Sequence, residues 1–177
     1  MSIVTKLVDI TTLPVDAIIN AANERLLPGA GVSAAIHAAA GPELAEACER
    51  IGFCPTGEAR ITAAFSLPSR FVVHAVGPVW QGGDRGEDEL LAKAVRAALL
   101  LAHMHRAESA ALPAIATGIF GFPIDRAARI IVRAAREQLA TGQCPPSLII
   151  ACFSDEARDA FEAALATDDA FEEAGAA

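Results

Sequence analysis

Two glycine-rich segments have the composition of anion-binding loops. Residues 23–32 read NERLLPGAGV and residues 116–123 read ATGIFGFP. Each segment follows an apolar run typical of a strand and precedes the expected start of a helix. Backbone N–H groups at such a junction donate to a phosphate, and the helix dipole favours its negative charge. Two such loops facing each other would hold a pyrophosphate, whereas either loop alone is more simply an ordinary strand–helix connection.

Other candidate chemistry along the chain is weaker. Neither loop contains the GxxxxGK[ST] or GxGxxG motif, so no motif supports a kinase or a dehydrogenase. His37 and His74 lie in apolar stretches, where satisfied structural histidines are the simpler expectation. His103 and His105 are two positions apart on a predicted helix, so they face different directions and form no site.

Short apolar segments alternate with helical patterns, and this alternation predicts the fold class. We expect strands at Ile3–Val8, Ala17–Asn20, Ala59–Ala63, Phe71–Val76, Ala110–Ile115 and Leu148–Phe153. We expect helices at Ser33–Ala40, Pro42 to about Arg50, Glu87–His105, Asp125 (as cap) to about Leu139, and Asp155 to about Leu165. Strands that are apolar on both faces indicate a sheet covered on both sides. The prediction is an α/β fold, a three-layer α/β/α sandwich with a mostly parallel mixed central sheet. Ligands in such folds bind beyond the carboxyl ends of the strands, where both glycine-rich loops lie.

The length and charge of the chain limit its functional class. Its 177 residues correspond to one domain, expected over residues 1–166, with the acidic residues 167–177 as a frayed tail. The net charge of −8 argues against binding to nucleic acids or anionic membranes. The longest apolar runs are too short to span a bilayer, and the N-terminus lacks the order of a signal peptide.

The four cysteines form no metal-binding or disulfide pattern. Cys48, Cys54, Cys144 and Cys152 include no CxxC pair and no histidine at a zinc-like spacing. Four cysteines in a chain of this length favour reduced thiols. We therefore expect a cytoplasmic monomer with no metal and no cofactor.

Several segments together resemble the macrodomain family. They are VDAIINAAN at 15–23, GAGV at 29–32 with AIH at 35–37, CPTGEA at 54–59, VHAVGPVW at 73–80 and LPAIATGIFGFP at 112–123. The resemblance runs from about Ile3 to Leu165, and CPTGEA and HxVGPVW point to the MacroD-type branch. Members of that branch bind ADP-ribose, hydrolyse mono-ADP-ribose from acidic side chains and deacetylate O-acetyl-ADP-ribose without a metal. The resemblance thus implies ADP-ribose or an ADP-ribosylated protein as the partner.

The resemblance also implies roles for individual residues. At the adenine end, Asp9 would accept from the exocyclic amine beside the Ile10 amide, and Phe153 would stack on the ring. The two phosphates would be bound by backbone amides of Gly31, Val32, Thr117, Gly118, Ile119 and Phe120. Asn23 would hydrogen-bond the distal ribose, and Asn20 would brace the loop. By residue type alone, Asp9 is as readily a turn carboxylate, Phe153 a core residue, and Asn23 a turn residue as well as a ligand.

Ser33 departs from the pattern of catalytic MacroD-type members. Those proteins have an aspartate ten residues after the loop asparagine, and ten residues after Asn23 this chain has Ser33. A carboxylate orients or deprotonates water at neutral pH, whereas a serine hydroxyl does not act as a base unless it is activated. We rank three roles for Ser33: a helix N-cap, an anchor for a water whose proton passes to a substrate phosphate, and a partner of His37 one turn away.

Two smaller departures remove hydroxyl groups near the same ligand. Ala116 replaces the usual serine and Phe120 the frequent tyrosine. Each lost hydrogen bond is worth about 0.5–1.5 kcal/mol, and amide binding of phosphate survives both changes.

The resemblance implies two alternative functions. One is an ADP-ribosyl ester hydrolase with Asn23 and Ser33 as catalytic residues, and the other is a reader of ADP-ribose without turnover. Ser33 is the residue that discriminates between them.

Overall fold

The computed structural model describes the backbone of residues 1–175 and the side chains of residues 1–167. Within this part of the chain, six strands form one sheet in the order β1-β6-β5-β2-β4-β3. The strands are β1 Ser2–Leu7, β2 Ala17–Ala21, β3 Ala59–Ala63, β4 Phe71–Ala75, β5 Ser109–Leu112 and β6 Ser147–Cys152. Neighbouring strands are parallel except β3 and β4, which are antiparallel. The mostly parallel mixed sheet is therefore confirmed.

Helices cover both faces of this sheet. They are α1 Val32–Ala40, α2 Pro42–Ile51, α3 Glu87–Met104, α4 Ile124–Thr141 and α5 Asp155–Gly175, with a 3-10 turn at Ile10–Thr12. Successive strand residues face opposite sides. Thus Ile19 on β2 joins the core under α3 and α4, while Ile18 joins the core under α1 and α2. This confirms the three-layer sandwich.

The parallel strands bring their following loops to one edge of the sheet. The chain turns at this edge after β1, β2, β4, β5 and β6, so distant segments of sequence meet there. β5 ends at Leu112, three residues before the expected end, because Pro113 has no N–H to donate to a neighbouring strand. The loop before α4 therefore starts earlier and is longer than the sequence indicated.

Two helix starts differ from the predictions. Gly31 is the N-cap of α1, with φ 58° and ψ −129°, so Ser33 is the second helical residue and its expected N-cap role is wrong. The chain enters the helix at a backbone conformation that favours glycine, which moves the start ahead of Ser33. Pro123 is the N-cap of α4, so the expected cap at Asp125 is also wrong.

α5 begins at Asp155, as expected, but it continues to Gly175 instead of ending at about Leu165, since no glycine or proline interrupts residues 166–174. Side chains beyond Thr167 and residues 176–177 lie outside the described part, so the fraying expected for 167–177 stays a prediction. All four cysteines are buried and free of disulfides. Among the described residues, no helix combines the length and the apolarity needed to cross a lipid bilayer.

Candidate ligand-binding cleft

A cleft of three connected hollows runs along the carboxyl-terminal edge of the sheet. The proximal hollow lies beside the ends of β1 and β6, the central hollow beside β2 and β5, and the distal hollow beside the β2–α1 loop and the segment after β4. Gly31, Val32 and Gly118 line both the proximal and the central hollow. Asn23, Gly77 and Phe120 line both the central and the distal hollow. The shared residues make one continuous surface for an elongated ligand.

The proximal hollow combines an exposed aromatic ring with a carboxylate. Phe153 is 90% exposed, so the alternative of a core residue is wrong. Asp9 caps the 3-10 turn, where Oδ1 accepts from Thr11 N at 2.9 Å and from Thr11 Oγ1 at 2.7 Å. Asp9 is therefore a turn carboxylate that also lines the hollow beside Ile10. Its Oδ2 receives no hydrogen bond from the described residues, which leaves an acceptor for a ligand amine.

The β2–α1 loop presents backbone donors to the central hollow. The first N–H groups of a helix have no partner within that helix. The first backbone hydrogen bond of α1 runs from Ala35 N to Gly31 O at 3.1 Å. The amides of Gly31, Val32 and Ser33 have no acceptor among the described residues. These amides stand at the positive end of the helix dipole, where an anion is stabilised.

The β5–α4 loop presents a second set of donors to the same hollow. The amides of Gly118, Ile119 and Phe120 have no acceptor within the described residues. The Thr117 amide, expected to be a fourth donor, instead bonds to Ala114 O at 3.3 Å inside the loop. Ala116 has φ 66°, a left-handed conformation that is costly for a residue with a Cβ and that turns the loop. Successive amides in such a turn form a concave anion site.

Of the two asparagines, Asn23 takes the bracing role that was expected of Asn20. Asn23 braces the β2–α1 loop, because its Nδ2 donates to Leu27 O at 2.9 Å and its Oδ1 accepts from Leu27 N at 3.1 Å. Asn23 still lines the hollows with the remaining amide proton and lone pair. Asn20 is 1% exposed, contacts His74 at 3.2 Å and is absent from the cleft lining. The expectation that Asn20 braces the loop is therefore wrong.

Ser33 lies against the floor of the central hollow. It is 4% exposed, and its Oγ accepts from Gly29 N at 3.4 Å. The pairing with His37 is not formed, because neither ring nitrogen of His37 has a hydrogen-bond partner within the described residues. The whole lining of the central hollow contains no Asp, Glu, His, Lys or Arg side chain. This hollow offers donors to an anion and no ionisable group to act as acid or base.

The buried histidines lie under the cleft rather than in it. His74 is fully buried, with Thr62 Oγ1 3.0 Å from Nε2, and burial together with the neighbouring His37 lowers its pKa to about 3. His74 is thus a satisfied neutral histidine, as expected. His37 is 8% exposed and has no hydrogen-bond partner among the described residues, so the expectation of a satisfied histidine is wrong for it. Burial lowers its pKa.

Comparison with known proteins agrees with this architecture. The family model for the macro domain matches residues 19–131. A macro domain-containing protein of Chlorobaculum tepidum is 52% identical over 89% of this chain and 92% of its own. The chain belongs to the macro domain family. An Escherichia fergusonii relative named O-acetyl-ADP-ribose deacetylase is 47% identical over 84% of this macrodomain and 86% of its own length.

Solved macrodomain structures share the fold closely. The Oceanobacillus iheyensis macrodomain with ADP has a TM-score of 0.87 and 38% identity, covering 92% of this chain and 89% of that one. The Trypanosoma brucei macrodomain in complex with ADP-ribose has a TM-score of 0.85 and 36% identity, covering 92% of this chain and 68% of that one. Both neighbours were solved with adenine nucleotides.

Sequence reasoning missed two contributors to the cleft of this macrodomain. Gly77 lines the central and distal hollows. Its position in the VGPVW segment, directly after a buried strand, could have indicated that it lies at the edge of the sheet where the cleft forms. Arg25 lines the distal hollow, although its sequence context is typical of an ordinary solvated residue. Only the three-dimensional course of the loop brings Arg25 there.

Proposed function

We propose that this macrodomain binds ADP-ribose, free or attached to a protein, along the three hollows. The observation that carries the proposal is that Gly31–Ser33 and Gly118–Phe120 line the same hollow and that their amides have no acceptor among the described residues. Six N–H donors without protein acceptors match the oxygens of a pyrophosphate, and they hold it without a cation. The ADP and ADP-ribose in the two structural neighbours support this ligand class.

The ends of the cleft fit the ends of the same ligand. Phe153 would stack on adenine in the proximal hollow, and Asp9 Oδ2 would accept from the exocyclic amine. The distal ribose would lie where the central and distal hollows meet, between Asn23, Gly77 and Phe120. In this orientation a group attached to the distal ribose leaves the central hollow through the distal one.

Hydrolysis of ADP-ribosyl esters is a second candidate function. The relative named O-acetyl-ADP-ribose deacetylase, 47% identical, is the observation that favours it. Because the central hollow has no ionisable side chain, the base would be a phosphate oxygen of the substrate. A water held near Ser33 and Asn23 would attack the ester, its proton would pass to that phosphate, and the ester C–O bond would break. The released ribose hydroxyl would take up the proton.

Two measurements test binding and turnover separately. Isothermal titration with ADP-ribose tests binding, and an absence of heat and of any thermal shift would contradict it. A single-turnover release assay on a protein mono-ADP-ribosylated at glutamate tests hydrolysis, with wild type beside Ser33→Asp and the uncharged, similarly sized Ser33→Asn. Release by wild type supports the phosphate-assisted route. Release by Ser33→Asp alone identifies a reader whose pocket lacks the acid.

A further inference from the structure

The distal hollow contains one cationic side chain without a protein partner. Its ionisable lining residues are Glu24 and Arg25. The Glu24 carboxylate is already engaged, since Oε1 accepts from Thr56 N at 3.1 Å and from Thr56 Oγ1 at 2.9 Å. Arg25 is exposed, and it makes no ion pair or side-chain hydrogen bond with the described residues. Arg25 therefore lines the hollow with no guanidinium donor used by a described residue.

The backbone that carries Arg25 is fixed on both sides. Leu26 is 1% exposed and anchors the turn in the core at φ 57°, with its N–H bonded to Asn23 O at 2.9 Å. The Asn23 side chain holds the Leu27 backbone through two further bonds. A preorganised loop loses little conformational freedom on binding, so a contact made by Arg25 contributes more of its energy to affinity.

The rest of the distal hollow is suited to a polypeptide rather than a small polar group. Leu27 is 46% exposed and Val79 51% exposed, and both line the hollow beside Arg25. The hollow opens directly from the central one through Asn23 and Gly77. Glu24 lines the same hollow and keeps its negative charge, because its hydrogen bonds run to the neutral Thr56. The apolar walls and the guanidinium, which forms no ion pair with a described residue, therefore offer a contact to a single carboxylate of a bound segment.

We propose that Arg25 is a specificity-determining residue that binds a carboxylate adjoining the modified side chain of a protein substrate. The preferred substrate class is then an acidic protein segment that carries ADP-ribose, rather than a free ADP-ribose ester, which brings no second carboxylate. This inference rests on the proposed binding of ADP-ribose in the central hollow. The guanidinium forms paired hydrogen bonds with a carboxylate, a geometry that lysine does not reproduce.

The test uses two peptides, each linked to ADP-ribose at one glutamate position through a bond that resists hydrolysis. The residues next to the modified position are glutamate in one peptide and glutamine in the other. We expect wild type to bind the acidic peptide about two- to fivefold more tightly, the range for a partly exposed ion pair. Arg25→Gln should remove this difference, so that the variant binds the two peptides with equal affinity. High salt should reduce the difference in wild type.

Arg129→Gln is the matched control, because Arg129 is an exposed arginine on α4 outside the three hollows. It should retain the full preference. Equal affinity of wild type for the two peptides, or a preference that survives Arg25→Gln, overturns the role of Arg25 while ADP-ribose binding stands. Failure of wild type to bind free ADP-ribose overturns the proposed function and this inference with it.

Discussion

Phe153 holds an aromatic ring in solvent at the proximal hollow, where it contributes little to folding. Because it is 90% exposed, Phe153→Ala should leave the free energy of unfolding unchanged. The same change should weaken ADP binding about tenfold, since stacking of a base on an aromatic ring is worth about 1–3 kcal/mol. Titration calorimetry with ADP checks the prediction. Phe53→Ala, at an exposed phenylalanine outside the cleft, is the control and should bind like wild type.

Gly77 is the position where the cleft has no room for a side chain. A Cβ at Gly77 would lie 3.0 Å from both Ala116 Cβ and Ile115 Cγ2, closer than ordinary packing. Gly77→Ala should therefore displace the β5–α4 loop, lower the free energy of unfolding by about 1–3 kcal/mol and weaken ADP-ribose binding. Urea unfolding and titration measure the two effects. Gly118→Ala is the control for the stability measurement, because a Cβ there meets nothing within 4 Å. Unchanged stability of Gly77→Ala would contradict the packing argument.

At the scale of residues, the sequence located positions that line the cleft better than it located the contacts of each side chain. Phe153, Asp9 and Gly118–Phe120, which we expect to contact the ligand, all line the hollows. Asn23 rather than Asn20 braces the loop, because the side chain of Asn23 bonds to Leu27 and that of Asn20 contacts His74. The hydrogen-bond partner of each asparagine depends on the three-dimensional path of the β2–α1 loop, and the residue type alone does not specify that path.

At the scale of elements, one buried carboxylate organises the segment between β4 and α3. Glu87 is 2% exposed and accepts from the amides of Gln81 at 3.0 Å, Gly83 at 3.1 Å and Arg85 at 2.7 Å. Trp80, in the same segment, donates its N–H to Phe120 O at 2.8 Å. Glu87 thereby connects the start of α3 to the β5–α4 loop that lines the cleft.

The stability contributed by Glu87 should depend on pH. Burial raises the pKa of its carboxyl, but the backbone donors outweigh burial and hold the pKa at about 2, below its usual 4.5. A lowered folded-state pKa stabilises the protein above pH 4.5, and this contribution is lost as the pH falls towards 2. Glu87→Gln should therefore have a lower free energy of unfolding than wild type at pH 7. This difference in free energy should become smaller as the pH falls from 4.5 to 2.

Urea titrations of wild type and Glu87→Gln across this pH range measure the difference in free energy of unfolding. Glu89→Gln, at a surface glutamate that pairs with Arg96, is the control on the same helix. The free energy of unfolding of Glu89→Gln should stay close to that of wild type at every pH, because surface ion pairs contribute little to stability. A gap between wild type and Glu87→Gln that does not change with pH would show that the carboxylate charge is not what organises the segment.

The elements themselves followed from local sequence, and their boundaries did not. Apolar runs predicted all six strands and the spacing of apolar residues predicted α3, since burial on both faces leaves a clear pattern. The starts of α1 and α4 were displaced because Gly31 and Pro123 take the cap positions through backbone conformation. The strand order, with β2 between β5 and β4, depends on long-range pairing that no local pattern contains.

At the scale of the whole molecule, the chain and its proposed ligand are both negatively charged and therefore repel each other. The chain carries −8, and its proposed ligand contains a pyrophosphate, yet the central hollow attracts anions through amides alone. Long-range repulsion should slow the approach of the ligand, while the amides act only at contact. Salt screens the long-range repulsion, because the Debye length falls from about 30 Å at 0.01 M to about 10 Å at 0.1 M.

The association rate of ADP-ribose should therefore rise by about twofold or more over this range of salt. This is the opposite of the steep loss of affinity that a nucleic-acid-binding protein shows when salt is added. Stopped-flow measurement with a fluorescent ADP-ribose analogue gives the rate. A fluorescent analogue of uncharged adenosine, which in the proposed orientation would occupy the proximal hollow, is the control ligand and should bind at a rate independent of salt. An association rate that falls with salt would mean that local cations such as Arg25, rather than the net charge, govern the approach to the cleft.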